Sequence, residues 1–90
     1  MNGNSIYGLK IYPNPANEIV NVKFNNAKDQ KVTMELISIA GQQLRREEYF
    51  AKAGWSAENI NVAALAEGIY FLRIISEKEV SVRKLLIERD

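Results

Sequence analysis

The chain has 90 residues, of which 47% are hydrophobic and 26% are charged, and its formal net charge is +1. A chain of this length forms one domain with one modest core, and a charge near zero excludes the long-range field that would steer it to nucleic acid or to an anionic membrane. The absence of cysteine excludes disulfides and thiolate metal sites, and no apolar run is long enough to span a bilayer.

The first residues of the chain carry no sign of a folded element. Residues 1–8 lack the charged and apolar segments of a secretory signal peptide. We interpret them as a vector-derived start or the remnant of a linker, and we expect the domain to occupy residues 9–90. If the protein is exported, the signal peptide for that export lies elsewhere.

Apolar and polar residues alternate in the first third of the chain, which predicts strands with one buried face. The first strand contains Leu9 and Ile11 and ends at two prolines, which remove backbone donors. The second strand spans residues 18–24. Residues 25–30 predict a hairpin loop, whose oxygens match no known calcium-binding spacing.

The middle of the chain predicts a buried strand, an edge strand and a less regular stretch. The third strand covers residues 32–36, and a shift of phase at residues 37–39 predicts a bulge. Adjacent charged pairs within residues 42–50 predict a solvated edge strand. Trp55 then opens a variable stretch, and its ring either covers the end of a small core or stacks on a sugar.

The last third holds the most apolar segments. Leu65 and Ala66 predict one turn of helix, after which residues 68–75 predict a strand in the middle of a sheet, covered on most of both faces. The last strand, from Val80, is apolar on both sides at residues 85–87. Either a bulge at residues 83–84 switches its faces or its second face meets something, and it could pair with a partner as an edge strand.

About seven short strands separated by turns predict an all-β fold, an immunoglobulin-like antiparallel β-sandwich. Tyr70, near the start of a strand, is expected to bond a backbone acceptor through its hydroxyl, as the tyrosine corner of such folds does. The predicted core consists of Val20, Val22, Phe24, Val32, Met34, Leu36, Tyr70, Leu72 and Ile74.

The residues that most enzymes need are missing. Without histidine and cysteine, the chain lacks the commonest general base, the commonest metal ligand and the best thiol nucleophile. Adjacent acids such as Glu47 and Glu48 point apart on a strand, so they do not form a glycosidase pair. No glycine-rich phosphate loop occurs. The sequence therefore predicts a protein that is not an enzyme and needs no cofactor or metal.

Five short motifs follow one another in an order shared with a known family. They are Leu9-x-Ile11-Tyr12-Pro13-Asn14-Pro15-Ala16, Val20-x-Val22, Leu36 before Gly41, Leu65-x-x-Gly68-x-Tyr70, and Val82-x-Lys84-Leu85-Leu86-Ile87. With these motifs the chain, from Leu9 onward, resembles the type IX secretion system C-terminal sorting domain of type A. Ser38 departs from the pattern, because an acidic or amide residue is usual at this point before the glycine.

The resemblance implies a secretion signal. Such domains fold as immunoglobulin-like sandwiches and direct an attached N-terminal cargo domain across the outer membrane of Gram-negative bacteria. The cargo reaches the periplasm by its own signal peptide, the type IX translocon recognises the folded domain, and a surface peptidase commonly removes it. The implied location is the periplasm in transit to the cell surface or the extracellular space. We expect the domain neither to bind nucleic acid nor to insert into a membrane, and the oligomeric state stays open.

Residue by residue, the resemblance assigns two sets of positions. The structural motif residues are Tyr12, Pro13, Asn14, Pro15, Gly41, Gly68 and Tyr70. The residues expected to meet the translocon are Lys84, Leu85, Leu86 and Ile87. An alternative function stays open on the residues alone: a generic immunoglobulin-like spacer, or an adhesion module of a surface protein that binds carbohydrate or protein.

Overall fold

A computed structural model describes residues 5–89, and within them the chain forms seven strands and no helix. The strands are β1 (Ile6–Tyr12), β2 (Ile19–Asn26), β3 (Gln30–Ser38), β4 (Gln43–Ala51), β5 (Gly54–Asn61), β6 (Gly68–Ile75) and β7 (Val80–Ile87). Strand β1 begins inside the segment of residues 1–8 that we interpret as a start or linker, and both Ser5 and Ile6 are buried. Residues 1–4 of that segment lie outside the described residues.

The strands form two antiparallel sheets that pack face to face. The three-stranded sheet has the order β1-β2-β5, and the four-stranded sheet has the order β4-β3-β6-β7. Two sheets of this kind bury one face of each strand against the other sheet. The predicted all-β, immunoglobulin-like sandwich is confirmed.

The core lies between the two sheets, where alternate residues of each strand point inward. All of the predicted core residues are buried there, from Val20 on β2 to Ile74 on β6. Leu85 and Ile87 of β7 join them, with 0% and 1% of their surface exposed. Burying one such side chain stabilises the fold by roughly 1.5–3 kcal/mol, so the last strand belongs to the core.

The central position of β6 is confirmed, and its inner face is buried while its outer face is covered only in part. The strand pairs with β3 on one side and β7 on the other. Its outer face carries Ile69, which is 37% exposed, together with the half-buried Phe71 and Ile75. Seven strands make only two layers, so the outer face of β6 is shielded by neighbouring side chains of the same sheet alone.

Residues 25–30 do not form the predicted hairpin loop. They carry the chain from β2, in the three-stranded sheet, to β3, in the four-stranded sheet. Two buried amides hold this crossing, because Gln30 donates from Nε2 to the Ser5 carbonyl at 2.8 Å and to Asn26 Oδ1 at 3.3 Å. The two amides bond to each other at one end of the sandwich, while the buried Gln30 Oε1 has no hydrogen-bond partner among the described residues.

Further details of the strands confirm some predictions and correct others. The β3–β4 register shifts between Leu36 and Ile37, which confirms the bulge, and β4 is an edge strand as predicted. The helical turn predicted at Leu65 is instead a turn in which the Leu65 amide donates to the Val62 carbonyl at 3.0 Å. The β6–β7 register is regular along its whole length, so the bulge proposed at residues 83–84 is absent.

Tyr70 behaves as the predicted tyrosine corner. Its hydroxyl donates a 2.6 Å hydrogen bond to the carbonyl of Ala66, four residues upstream. The ring is largely buried in the core, with 9% of the residue exposed. The bond fixes the loop before β6 to the strand and sets where β6 begins.

A second tyrosine makes the fold sensitive to alkaline pH. Burial raises the pKa of Tyr49 on β4 to about 12, against an ordinary value of 10.0. The Tyr49 hydroxyl loses its proton at a higher pH in the folded protein than in the unfolded chain. Its contribution to the free energy of unfolding is therefore fully present below pH 10 and is lost as the pH rises towards 12. We expect Tyr49→Phe to remove about 1 kcal/mol of that alkaline loss, after allowance for partial exposure.

Urea unfolding at neutral pH and at a pH between the two pKa values measures this difference. Tyr7→Phe is the matched control, because Tyr7 is 52% exposed. An equal alkaline loss in the two variants would contradict the assignment to Tyr49.

Candidate recognition site

The proline turn and the last strand, two motifs far apart in the sequence, meet in the structure. The connection from β1 to β2 leaves the three-stranded sheet and runs along the outer edge of β7. Asn14 donates from Nδ2 to the Lys84 carbonyl at 3.0 Å, and its Oδ1 accepts from the Leu86 amide at 2.9 Å. One amide side chain thus bonds β7 as a neighbouring strand would.

Ala16 continues the same contact through its backbone. Its amide donates to the Leu86 carbonyl at 2.8 Å, and its carbonyl accepts from the Glu88 amide at 2.9 Å. Ala16 is 2% exposed and forms an isolated parallel bridge with Ile87. We call this arrangement, residues 13–16 against residues 84–88, the proline clamp.

The clamp covers only the second half of the β7 edge. In an antiparallel strand, alternate residues turn their backbone groups to opposite neighbours. The backbone amide and carbonyl of Leu86 bond to the clamp and not to β6. Val80 and Val82 occupy equivalent positions, so their backbone groups also point away from β6. Their side chains are 56% and 49% exposed. The prediction of an edge strand able to pair with a partner therefore applies to residues 80–83, whereas residues 84–88 already have a neighbour.

The four residues expected to meet the translocon divide between two faces of β7. Leu85 and Ile87 point into the core and are almost fully buried. Lys84 is exposed and Leu86 is half-buried, both on the outer face of the four-stranded sheet. Only Lys84 and Leu86 have side chains that another protein can reach while the domain stays folded.

The surroundings of these two side chains are mostly apolar. On the outer face, Leu86 is paired with Ile69 and Lys84 with Phe71. We call this surface the β6–β7 face, and it consists of Ile69, Phe71, Arg73, Ile75, Val80, Val82, Lys84 and Leu86. A contiguous apolar patch on the surface of a small domain is typical of a site for protein contact.

A charged cluster lies next to the β6–β7 face. The carboxylate of Glu35 on β3 is nearly buried and accepts from Arg73 Nη2 at 2.6 Å and from Arg46 Nε at 3.4 Å. Arg46 Nη1 also lies 2.6 Å from Glu48 Oε2. This hydrogen bond and the positive charge of Arg46 lower the pKa of the Glu48 carboxyl. The two carboxylates and the two guanidinium groups of the cluster neutralise one another, so the cluster adds no strong local field to the outer face.

The remaining motif positions shape the turns. Gly41 has φ +91°, which a residue with a side chain rarely adopts, and its amide donates to the Ser38 carbonyl at 2.9 Å. Ser38 Oγ accepts from the Gln42 amide at 3.1 Å, so the hydroxyl supplies a side-chain acceptor where the family usually has an acid or amide. Gly68 begins β6 opposite Ile87.

Sequence reasoning missed Arg89. Its guanidinium donates from Nη1 to the Leu65 carbonyl and from Nη2 to the Val62 carbonyl, the latter at 2.7 Å, while its amide donates to Glu67 at 3.1 Å. These bonds hold the β5–β6 loop beside the end of β7. A charged residue that follows the last apolar position of a strand is normally interpreted as exposed to solvent. No pattern in the sequence indicates that Arg89 instead bonds to a loop.

The structure separates the two side chains of one candidate nucleophile–base spacing. The chain has a single Ser-x-x-Lys spacing, at Ser81 and Lys84. Residues three apart on a strand point to opposite faces, so the two side chains do not meet. Among residues 5–89 no three acidic side chains come close enough to hold a metal ion, and no helix long and apolar enough to cross a membrane is found there.

The comparison with known families decides what kind of domain this is. The model of the secretion system C-terminal sorting domain matches residues 10–88. The chain belongs to this family. The resemblance drawn from the five motifs is confirmed, and the sorting domain is a type IX secretion signal, a class that implies export towards the cell surface.

The solved structures agree on the fold. The sorting domain matches the crystal structure of dimeric latent PorU from Porphyromonas gingivalis with a TM-score of 0.75 and 12% identity, over 91% of this chain and 9% of that one. The chain thus spans a small part of the PorU chain, and at this identity the likeness shows the fold alone. No curated protein matches the sorting domain at a significant level.

Proposed function

We propose that the sorting domain directs an attached cargo protein across the outer membrane through the type IX translocon, and that it does so without catalysis. The cargo crosses the periplasm first, and a surface peptidase removes the domain afterwards. The observation that carries this proposal is the proline clamp, which joins two family motifs and presents Lys84 and Leu86 on a fixed strand.

The clamp explains why the folded domain, rather than a linear peptide, would be the signal. Lys84 and Leu86 point outward only while β7 pairs with β6 on one side and with Asn14 and Ala16 on the other. The flanking apolar side chains add area that a partner can bury. A translocon surface that fits this patch is apolar with an acidic group placed for the Lys84 ammonium.

The free half of the β7 edge adds a second mode of contact. Within residues 5–89, Val80 and the Val82 amide have no strand neighbour on this side, while the Val82 carbonyl accepts a hydrogen bond from Arg83 Nη1 at 3.2 Å. Both valine side chains are exposed. An extended segment of the partner can add there as a further strand, with the backbone supplying hydrogen bonds and the valines supplying pockets. The clamp limits such addition to residues 80–83.

A reporter fusion tests the function. The 90-residue chain is attached to the C-terminus of a periplasmic reporter in a bacterium with a working type IX system. We expect the reporter at the cell surface or in the medium, and in the periplasm when the translocon is inactivated. A reporter that stays periplasmic in the competent host would overturn the proposal.

Lys84→Ala tests the proposed surface. We expect this variant to lose most of the export, while its free energy of unfolding changes by less than about 0.5 kcal/mol because the side chain is exposed. Lys78→Ala, at an exposed position in the β6–β7 turn, is the control and should export normally. Normal export of Lys84→Ala would remove Lys84 from the recognition surface.

A further inference from the structure

We propose that the outer face of the three-stranded sheet binds a linear polysaccharide that carries carboxylate groups. This face lies on the opposite side of the sandwich from the β6–β7 face. The proposal adds a second binding activity to the sorting domain and does not depend on the translocon contact.

The outward positions of the three-stranded sheet share an unusual composition. They carry aromatic rings, asparagine amides and lysine ammonium groups, and no carboxylate occurs among them. We call this surface the aromatic face, and it consists of Tyr7, Lys10, Tyr12, Ile19, Asn21, Lys23, Asn25, Trp55, Ala57, Asn59 and Asn61. Rings that stack on sugar faces and amides that bond to hydroxyls are the groups that bind a saccharide.

Trp55 is the main stacking surface. It lies on β5 and is 58% exposed, which shows that the reading of this ring as a cover for the core end is wrong. Its Cη2 atom would lie 3.2 Å from a Cβ atom on Gly8 of β1, although two strand spacings, about 10 Å, separate β5 from β1. The indole therefore lies along the sheet across β2, and Gly8 leaves the space that the ring occupies.

The aromatic face is arranged in rows across the strands. The first row is Tyr7, Asn25 and Trp55, the second is Lys10, Lys23 and Ala57, and the third is Tyr12, Asn21 and Asn59. An aromatic ring and amides thus lie on each side of a row of lysines, over about 13 Å. Such a surface suits an extended chain with stacking contacts near both ends and a charge in the middle.

The lysine row selects an anionic occupant. Lys10 and Lys23 are directly opposite each other on neighbouring strands, and like charges in that position repel. Among residues 5–89 neither forms an ion pair, and Lys23 Nζ lies 5.0 Å from the centre of the Trp55 ring. A carboxylate bound between the ammonium groups removes the repulsion, whereas a second copy of the chain would bring more lysines to the same place.

Binding of the 90-residue chain to polygalacturonate, measured by titration calorimetry, tests the proposal. We expect saturable binding that weakens as salt is added. Fully methyl-esterified polygalacturonate, which has the same backbone without the charge, and dextran should bind much less. The double variant Lys10→Gln with Lys23→Gln should lower the affinity for polygalacturonate alone.

A matched pair of aromatic variants locates the site. Trp55→Ala should weaken binding about tenfold, the effect of losing one stacked ring. Phe50→Ala is the control, because Phe50 is 63% exposed on the outer face of the other sheet. Thermal unfolding of each variant confirms that it is folded.

Four results would overturn the proposal. They are no binding of the unaltered chain, equal binding of the methyl ester, equal weakening by Phe50→Ala and Trp55→Ala, and a dimer in sedimentation that Trp55→Ala dissociates. The last result would assign the aromatic face to a second copy of the chain.

Discussion

Leu85→Ala is expected to lower the free energy of unfolding by about 3 kcal/mol. The side chain is fully buried between the two sheets, and truncating a buried leucine costs both its transfer free energy and the cavity that remains. Small domains are stable by only about 5–15 kcal/mol in total, so the variant should unfold at a clearly lower urea concentration. Export should fall as the folded fraction falls.

Leu86→Ala is the matched control for this result. The neighbouring side chain points to the outer face and is half-buried, so its loss should cost less than about 1 kcal/mol. We expect this variant to stay folded and still to export poorly, because Leu86 lies in the proposed contact. If both variants were equally unstable, the two leucines would not occupy the opposite faces described above.

Asn14→Ala is expected to release the second half of β7. The substitution removes both side-chain hydrogen bonds of the proline clamp, to Lys84 and Leu86. Each bond contributes roughly 1 kcal/mol, so the loss is about 2 kcal/mol. Hydrogen exchange should speed up most at the Leu86 amide, which then has no acceptor. Export should drop, because Lys84 and Leu86 are no longer held in one position.

Asn21→Ala provides the comparison for Asn14→Ala. Asn21 donates a single hydrogen bond, to the Tyr12 carbonyl at 3.1 Å, and does not touch β7. Its loss should cost about 1 kcal/mol and leave exchange of the Leu86 amide unchanged. Faster exchange at Leu86 in both variants to the same extent would show that the turn as a whole, and not the Asn14 amide, holds the strand.

The strands and the core could be predicted because alternation is a local signal. Val20, Val22 and Phe24 repeat with the period of a strand, and one buried face follows directly from that period. Tyr70 follows a glycine at the start of an apolar strand, where a buried hydroxyl must find a backbone partner. Both features are decided by residues close together in the chain.

The assignment of strands to sheets could not be predicted in the same way. Residues 25–30 have the length and composition of a hairpin loop, and a crossing between sheets uses the same residue types. What distinguishes them is the long-range pairing of β2 with β5 and of β3 with β6. The burial of Glu35 has a related cause: it occupies an outward position, but Arg46 and Arg73 from the neighbouring strands cover it.

The candidate recognition site could be predicted from the sequence only in outline. The motifs marked residues 12–15 and 84–87 separately, and no spacing indicates that Asn14 bonds the backbone of β7. Such a bond depends on where the β1–β2 connection passes in space. The same limit applies to Trp55, whose position on the aromatic face follows from the pairing of β5 with β2 and from the room above Gly8.

The proline clamp also has a consequence for biosynthesis. Residues near the start of the domain are fastened to residues 84–88, and the inner side chains of β7 complete the interior. While the ribosome still holds this last segment, the earlier strands lack a wall of their interior and the turn lacks its neighbour. The domain therefore closes only after residues 84–88 have been made and released.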